Sequence, residues 1–216
     1  MSTSGDEKRK RASEILSILK NEYPNAGPLL HYSSPFQLLI ATILAAQCTD
    51  ERVNAVTPEL FGRYPDPQAL AAAELPEIEK IIRPTGFFKN KARSLKEASA
   101  AITGQYGGRF PDTLEELVKL PGVGRKTANV VVANCFGRPA VIVDTHVKRL
   151  SARLGLSSAK DPDKIEMELQ ELVDRPDRTR FSHVVNFHGR YVCQARKPRC
   201  GKCVIESLCP YPDKLF

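Results

Sequence analysis

Apolar residues recur at helical spacing along almost the whole chain, and no stretch alternates convincingly at period two. That pattern leaves little for a sheet and points to an all-α protein. Capping and breaking residues cut it into pieces. Ala12 to Tyr23 carries Ile15, Leu16, Ile18 and Leu19, an amphipathic helix. Ser34 before Pro35 supplies a hydroxyl cap and a ring preset for a first turn. The helix that follows, Phe36 to Ala46, is apolar nearly all round and is predicted to be central. Thr49 or Asp50 starts the next, to about Tyr64, and Asp66-Pro67 a short one. Pro76 to Arg83 is stopped by Pro84 and Gly86, and Lys89 to Tyr106 by Gly107 and Gly108. Asp112 or Thr113 opens a short helix to Leu120. Further helices are predicted at Arg125 to Cys135, Thr145 to Leu154, Pro162 to Val173 and Asp177 to Val192. Val141-Ile142-Val143 has strand character but no obvious pairing partner. The charged, Ser-rich residues before Ala12 read as a disordered start. About ten helices with short joints suit a compact helical protein.

The 216 residues suffice for one large domain or two small ones. With 42% hydrophobic and 26% charged residues, wholesale disorder is excluded. No apolar run approaches the ~18 residues of a membrane span. Met1 to Arg11 has no apolar h-region behind it, so no secretory leader is expected. Lys and Arg number 32 against 25 Asp and Glu, a net charge of +7 that fits a polyanionic partner such as nucleic acid.

Pro121-Gly122-Val123-Gly124 joins two predicted helices and is followed by Arg125 and Lys126. Glycines permit positive φ and close backbone approach. The amides of such a turn and of the next helix start form an anion site, reinforced by the helix dipole. Backbone donors hold phosphate without reading bases, as sequence-independent DNA binding requires. The plain alternative is a tight joint between helices, and the two neighbouring cations favour phosphate. A nucleotide P-loop needs Gly-Lys-Ser/Thr after a strand, but Arg125 separates Gly124 from Lys126, so it is discarded.

Lys126 lies in the first turn of its helix, where the dipole disfavours the ammonium form. A lysine must lose its proton to attack carbon, so the position suits a nucleophile, although a phosphate or solvent contact explains the residue alone. Asp144 precedes Thr145 and can simply cap a helix. Chain geometry also permits a pairing with Lys126. The helix rises ~15–20 Å at ~1.5 Å per residue, and the extended residues before Asp144 reach back about 20 Å. An aspartate so placed can steady a sugar cation or help deprotonate the lysine.

Six cysteines are present, and four of them, Cys193, Cys200, Cys203 and Cys209, fall in the last 24 residues with spacings of six, two and five. Four thiolates so close can surround a [4Fe–4S] cluster or a structural zinc. Spacing alone does not decide. One Cys-x2-Cys knuckle instead of two leans to iron–sulfur, and disulfides are a weaker third reading. Arg196, Lys197, Arg199 and Lys202 allow the loop to face phosphates as well, or to be a solvated basic loop. Cys48 and Cys135 read as buried thiols.

The stretches Leu120 to Val131, Val143 to Leu150 and His188 to Cys209 together resemble the endonuclease III family of the helix-hairpin-helix DNA glycosylase superfamily. The resemblance runs from about Ser33 to Cys209. It implies a bifunctional glycosylase and AP lyase that removes oxidised pyrimidines from double-stranded DNA, acting also at abasic sites through a Schiff base and β-elimination. Lys126 falls on the family's Schiff-base lysine, Asp144 on its essential aspartate, and the four tail cysteines on the ligands of a [4Fe–4S] cluster. Gln47 falls on the residue that fills the gap left by a flipped base. Phe87 falls on a second intercalating residue, often Leu in the family, and Ala45 stands where relatives carry Ser.

The implied fold is two helical domains with a DNA cleft between them. Residues 28–139 would form a six-helix domain ending in the hairpin, while 1–27 and 140–216 would form the cluster domain. The resemblance further implies a monomer, cytoplasmic and nucleoid-associated in a bacterium, with no membrane partner. An adenine-mismatch glycosylase of the same superfamily typically lacks the lysine and adds a C-terminal domain. A non-enzymatic helix-hairpin-helix protein would need no Asp144 partner. An iron–sulfur electron carrier would hardly need the Lys–Asp pair.

Overall fold

The computed structural model describes residues 3–216, so Met1 and Ser2 lie outside it. Eleven α-helices occur among the described residues: α1 (Thr3–Glu22), α2 (Pro35–Leu44), α3 (Asp50–Arg63), α4 (Pro67–Ala72), α5 (Leu75–Ile82), α6 (Phe88–Gln105), α7 (Leu114–Leu117), α8 (Arg125–Cys135), α9 (Thr145–Arg153), α10 (Pro162–Leu172) and α11 (Arg178–Tyr191). The chain divides into two compact units, one of residues 28–138 and one that joins the N-terminal segment through Gly27 to residues 139–216.

In the 28–138 unit, α2 is the central helix. Leu38, Leu39, Ile40, Ala41 and Leu44 have no exposed surface, and α3, α6 and α8 pack around the helix. A helix apolar on every face has to be surrounded in this way. The Ser34 hydroxyl accepts the Gln37 N–H at 3.2 Å, with Pro35 in the first turn. Of the two candidates at the next start, Thr49 is the cap, accepting the Arg52 N–H at 3.4 Å. Asp66 and Thr113 cap α4 and α7 in the same manner, at 2.7 and 3.2 Å.

The second unit is built from α1, α9, α10 and α11 around Ile15, Leu19, Leu150, Leu169, Phe181 and Val184. Arg180 ties the end of the first segment to α11, donating to the carbonyls of Tyr23, Pro24 and Ala26 at 2.6, 2.8 and 2.7 Å.

Met1 and Ser2 lie outside the described residues, and residues 3–11 are not a disordered start: α1 begins at Thr3. Its Glu, Lys and Arg residues are strong helix formers, Asp6 faces the positive end of the dipole, and Arg11 donates to the Leu154 carbonyl at 3.3 Å. Val141 to Val143 is not a strand but a buried connector. Its flanking amides bond side chains of α11: Ala140 N–H to Thr179 at 3.2 Å and Ile142 N–H to Ser182 at 2.8 Å. The β-branched run buries apolar surface against a helix, which satisfies the backbone without a sheet. Among the described residues, no helix is long and apolar enough to cross a membrane.

Candidate active site

The turn between α7 and α8 is pinned from inside. Leu120 and Val123 are buried, and the Val123 N–H donates to the Leu120 carbonyl at 3.1 Å. Val123 therefore anchors the turn, with its side chain in the core and its N–H closing the turn. The two glycines differ. Gly122 is left-handed (φ +74°), and a Cβ there would come within 2.6 Å of the Ser94 Cβ, on α6. It is needed for packing and for its backbone conformation. Gly124 is extended (φ −86°, ψ 170°), and a Cβ there would meet nothing within 4 Å. It precedes α8 as the cap position, yet no side chain caps that helix. An N-terminus of this kind is a ready anion site. Arg125 and Lys126 occupy the first two positions of α8, and both are exposed.

Asp144 is half-buried at the start of α9, and both its oxygens are engaged. Oδ1 accepts the His146 and Val147 amides at 3.0 and 2.8 Å, which makes Asp144 the N-cap. Oδ2 accepts Nδ2 of Asn186, on α11, at 2.5 Å. Asn186 Oδ1 in turn accepts Nε of Arg190 at 3.0 Å, so the amide is oriented with its donor toward Asp144. Neighbouring His146 is held below the ordinary histidine range, chiefly by burial and against the opposing pull of the Asp144 charge. Asn186 and Arg190 were not singled out in the sequence, and an asparagine within a helix gives no signal of a partner 42 residues away.

Gln47 and Phe87 are the only non-glycine residues with left-handed backbone among the described residues, at φ 53° and 47°. Both lie in loops of the 28–138 unit, Gln47 beyond the end of α2 and Phe87 just before α6. Gln47 is exposed, and Phe87 is 66% exposed, so it is not the core aromatic that its type alone would suggest.

Cys193, Cys200, Cys203 and Cys209 line one cavity, whose other walls include Leu150, Leu154, Val192 and Ile205. All four are free thiols. Cys203 is pushed up to about 11, first by burial and in part by the other three sulfurs. Arg153 donates to Cys193 Sγ at 3.2 Å and to the carbonyls of Gln194 and Ala195, both at 2.8 Å. His188 Nε2 lies 3.2 Å from Cys203 Sγ. Among the described residues, no three His, Cys, Asp or Glu side chains are arranged to hold a single metal ion. Four soft donors round one cavity, with cations beside them, fit a cluster bound by thiolates. Arg196 and Lys197 are exposed on the same loop, which Arg199 fastens through its N–H to the Val192 carbonyl at 3.0 Å.

Residues 40–175 match the model of the HhH-GPD superfamily base excision DNA repair protein. Endonuclease III of Synechocystis sp. is 57% identical over 204 residues, covering 94% of this chain and 93% of the relative. Endonuclease III of Escherichia coli is 39% identical over 202 residues, covering 94% and 96%. A solved structure described as a trapped endonuclease III–DNA covalent intermediate is 41% identical, with a TM-score of 0.90 over 94% of this chain and 95% of that one. On this evidence the chain belongs to the endonuclease III family of the HhH-GPD superfamily of base excision DNA repair proteins.

Proposed function

We propose that the protein is a bifunctional DNA glycosylase and AP lyase that removes oxidised pyrimidines. The observation that carries this reading is an exposed lysine in the first turn of an uncapped helix, directly after a glycine turn, in a chain of this family. The amides of Gly122, of Gly124 and of the first turn of α8 grip a backbone phosphate, with Arg125, Arg196 and Lys197 adding charge. Gln47 and Phe87 enter the duplex where the damaged nucleotide leaves it. Neutral Lys126 attacks the anomeric carbon through Nζ, and the base departs. Asp144, fixed by two amides and Asn186, stabilises the positive charge that builds on the sugar. The imine formed on Lys126 acidifies the neighbouring sugar carbon, and loss of that proton expels the 3′ phosphate by β-elimination.

The four tail cysteines would hold a [4Fe–4S] cluster. When bound, the cluster would cross-link the tail and shape its basic loop. The protein would work as a monomer on double-stranded DNA, in the cytoplasm at the nucleoid.

Free-base release and strand scission from a panel of duplexes, each with one lesion, test the activity. Release of oxidised pyrimidines with β-elimination ends is expected. Release of adenine from mismatches alone, or binding without release, would overturn it. Anaerobically purified protein should be yellow-brown with about four iron atoms per chain. Stoichiometric zinc without iron or sulfide would overturn the cluster.

A further inference from the structure

Lys91, in the first turn of α6, is 5% exposed. Its ammonium donates to two main-chain carbonyls, Leu44 and Thr85, each at 2.8 Å. Burying an ammonium is costly unless it is fully bonded, and burial lowers its affinity for the proton, an effect partly opposed by nearby Cys48. An apolar side chain would fill the same space without that cost. What the ammonium does that an apolar residue cannot is bridge two carbonyls from different elements.

The identity of those carbonyls gives the bridge its meaning. Leu44 is the last residue of α2, where carbonyls lack helical partners and the dipole is negative. Gln47 follows three residues later, in a turn closed by the Cys48 N–H on the Ala45 carbonyl at 3.2 Å. Thr85 is itself buried, its hydroxyl donating to the Ile82 carbonyl at 2.8 Å, and Phe87 follows two residues later. One nitrogen therefore holds the roots of both loops within about twice its bond length of each other. These are the same loops whose tips are left-handed. A non-glycine residue held there costs about 1 kcal/mol, and it persists only where its surroundings over-determine it. Two such outliers fastened to one buried cation are a single device.

We propose that Lys91 is a positioning residue that sets Gln47 and Phe87 as one rigid wedge, fixing the spacing and backbone turn with which they enter damaged DNA. This rests on the reading of Gln47 and Phe87 as the intercalating pair. Without the bridge, each loop relaxes separately, and a displacement of about 1 Å costs up to ~10²-fold in a positioned reaction.

The test uses the full-length protein and two duplexes at fixed salt, one with a stable abasic-site analogue opposite 2-aminopurine and one undamaged. The readouts are the affinity ratio between them and the fluorescence of the 2-aminopurine, which reports unstacking by the wedge. Gln47→Ala and Phe87→Ala should each lower the ratio. Lys91→Met should lower it about tenfold or more and blunt the fluorescence change, with affinity for undamaged duplex retained. In a Gln47→Ala background, Lys91→Met should cost much less, because both changes disable one wedge. If Lys91→Met does not fold, Lys91→Arg carries the test. Its planar fork keeps the charge but is larger than an ammonium, and at a position only 5% exposed it must push the two carbonyls apart, so the ratio should fall several-fold. A ratio within twofold of wild type in a folded Lys91 variant, with Gln47→Ala still impaired, overturns the proposal and leaves the wedge standing. Unchanged ratios in both Gln47→Ala and Phe87→Ala overturn the wedge itself, and the proposal with it.

Discussion

Helix α8 has Gly124 at its cap position and makes no side-chain cap bond there, whereas α9 has Asp144, whose carboxylate takes two of the first amides. Both are helix N-termini with the same dipole and the same orphan donors. At α9 the anion is built in, half-buried and held by Asn186. At α8 the cap position is a glycine, the next residues are cations, and a Cβ on Gly124 would meet nothing within 4 Å. One start is complete in the free protein, and the other is the one proposed above to be completed by phosphate. A fixed charge suits a group that must meet a transition state without reorganising. An open set of amides suits a group that must accept phosphate after phosphate along DNA.

Exchanging features between the two starts is the sharpest way to break this contrast. The largest effect is expected at Lys126. Lys126→Ala removes the only amine proposed to form the imine, and strand scission at an abasic site should fall to background in a gel assay. Scission at the wild-type rate would remove α8 from the chemistry. Asp144→Asn comes next. Asn caps about as well as Asp, but its Nδ2 would meet the Nδ2 of Asn186 where Oδ2 now accepts, so the melting temperature should fall by a few degrees while the fold is kept. Single-turnover base release should nonetheless fall by ~10²–10³, the worth of one preorganised electrostatic group. Near-normal release would reduce Asp144 to its cap. Asn186→Leu leaves the cap intact but strips Oδ2 of its partner, and release should slow roughly tenfold through the lost bond to a charged group.

Much of this contrast can be read from local sequence. Caps, prolines and glycine stops place nearly every helix, because each acts within a few residues. Lys126 and Asp144 stand out for the same reason: one follows a glycine turn and the other precedes a helix. Lys91 and Asn186 do not, because the partners that give them meaning lie 47 and 42 residues away. The left-handed turn at Phe87 is likewise invisible, since nothing in a phenylalanine asks for positive φ. The helical start of α1 is missed because charge and serine mark loops and exposed helices alike. Cys203 and its three partners are legible as a set, but the cations that flank them on α9 are not.

Smaller effects are expected at the two glycines and at His146. Gly124→Asp gives α8 the cap that α9 already has. The site has room for the side chain, so stability should be unchanged or rise by a few tenths of a kcal/mol, while affinity for undamaged and damaged duplex falls several-fold. Gly122→Ala does the reverse, losing roughly 1–2 kcal/mol in denaturant melts from strain and the clash with Ser94. Equal behaviour of the two glycine variants would erase the distinction between a packing glycine and an open one. The smallest effect falls on His146. Asp144 favours its protonated form against the dominant effect of burial, so Asp144→Asn should move its NMR titration further down in pH, not up.

In the proposed mechanism the amine at the open helix start becomes covalently joined to DNA while Asp144 does not. Borohydride added during turnover on a lesion duplex, followed by proteolysis and mass spectrometry of the adduct, tests it directly. The sugar remnant is expected on Nζ of Lys126 and on no other amine. A remnant on the N-terminal amine or on any other lysine, with Lys126 unmodified, would exclude Lys126 as the nucleophile.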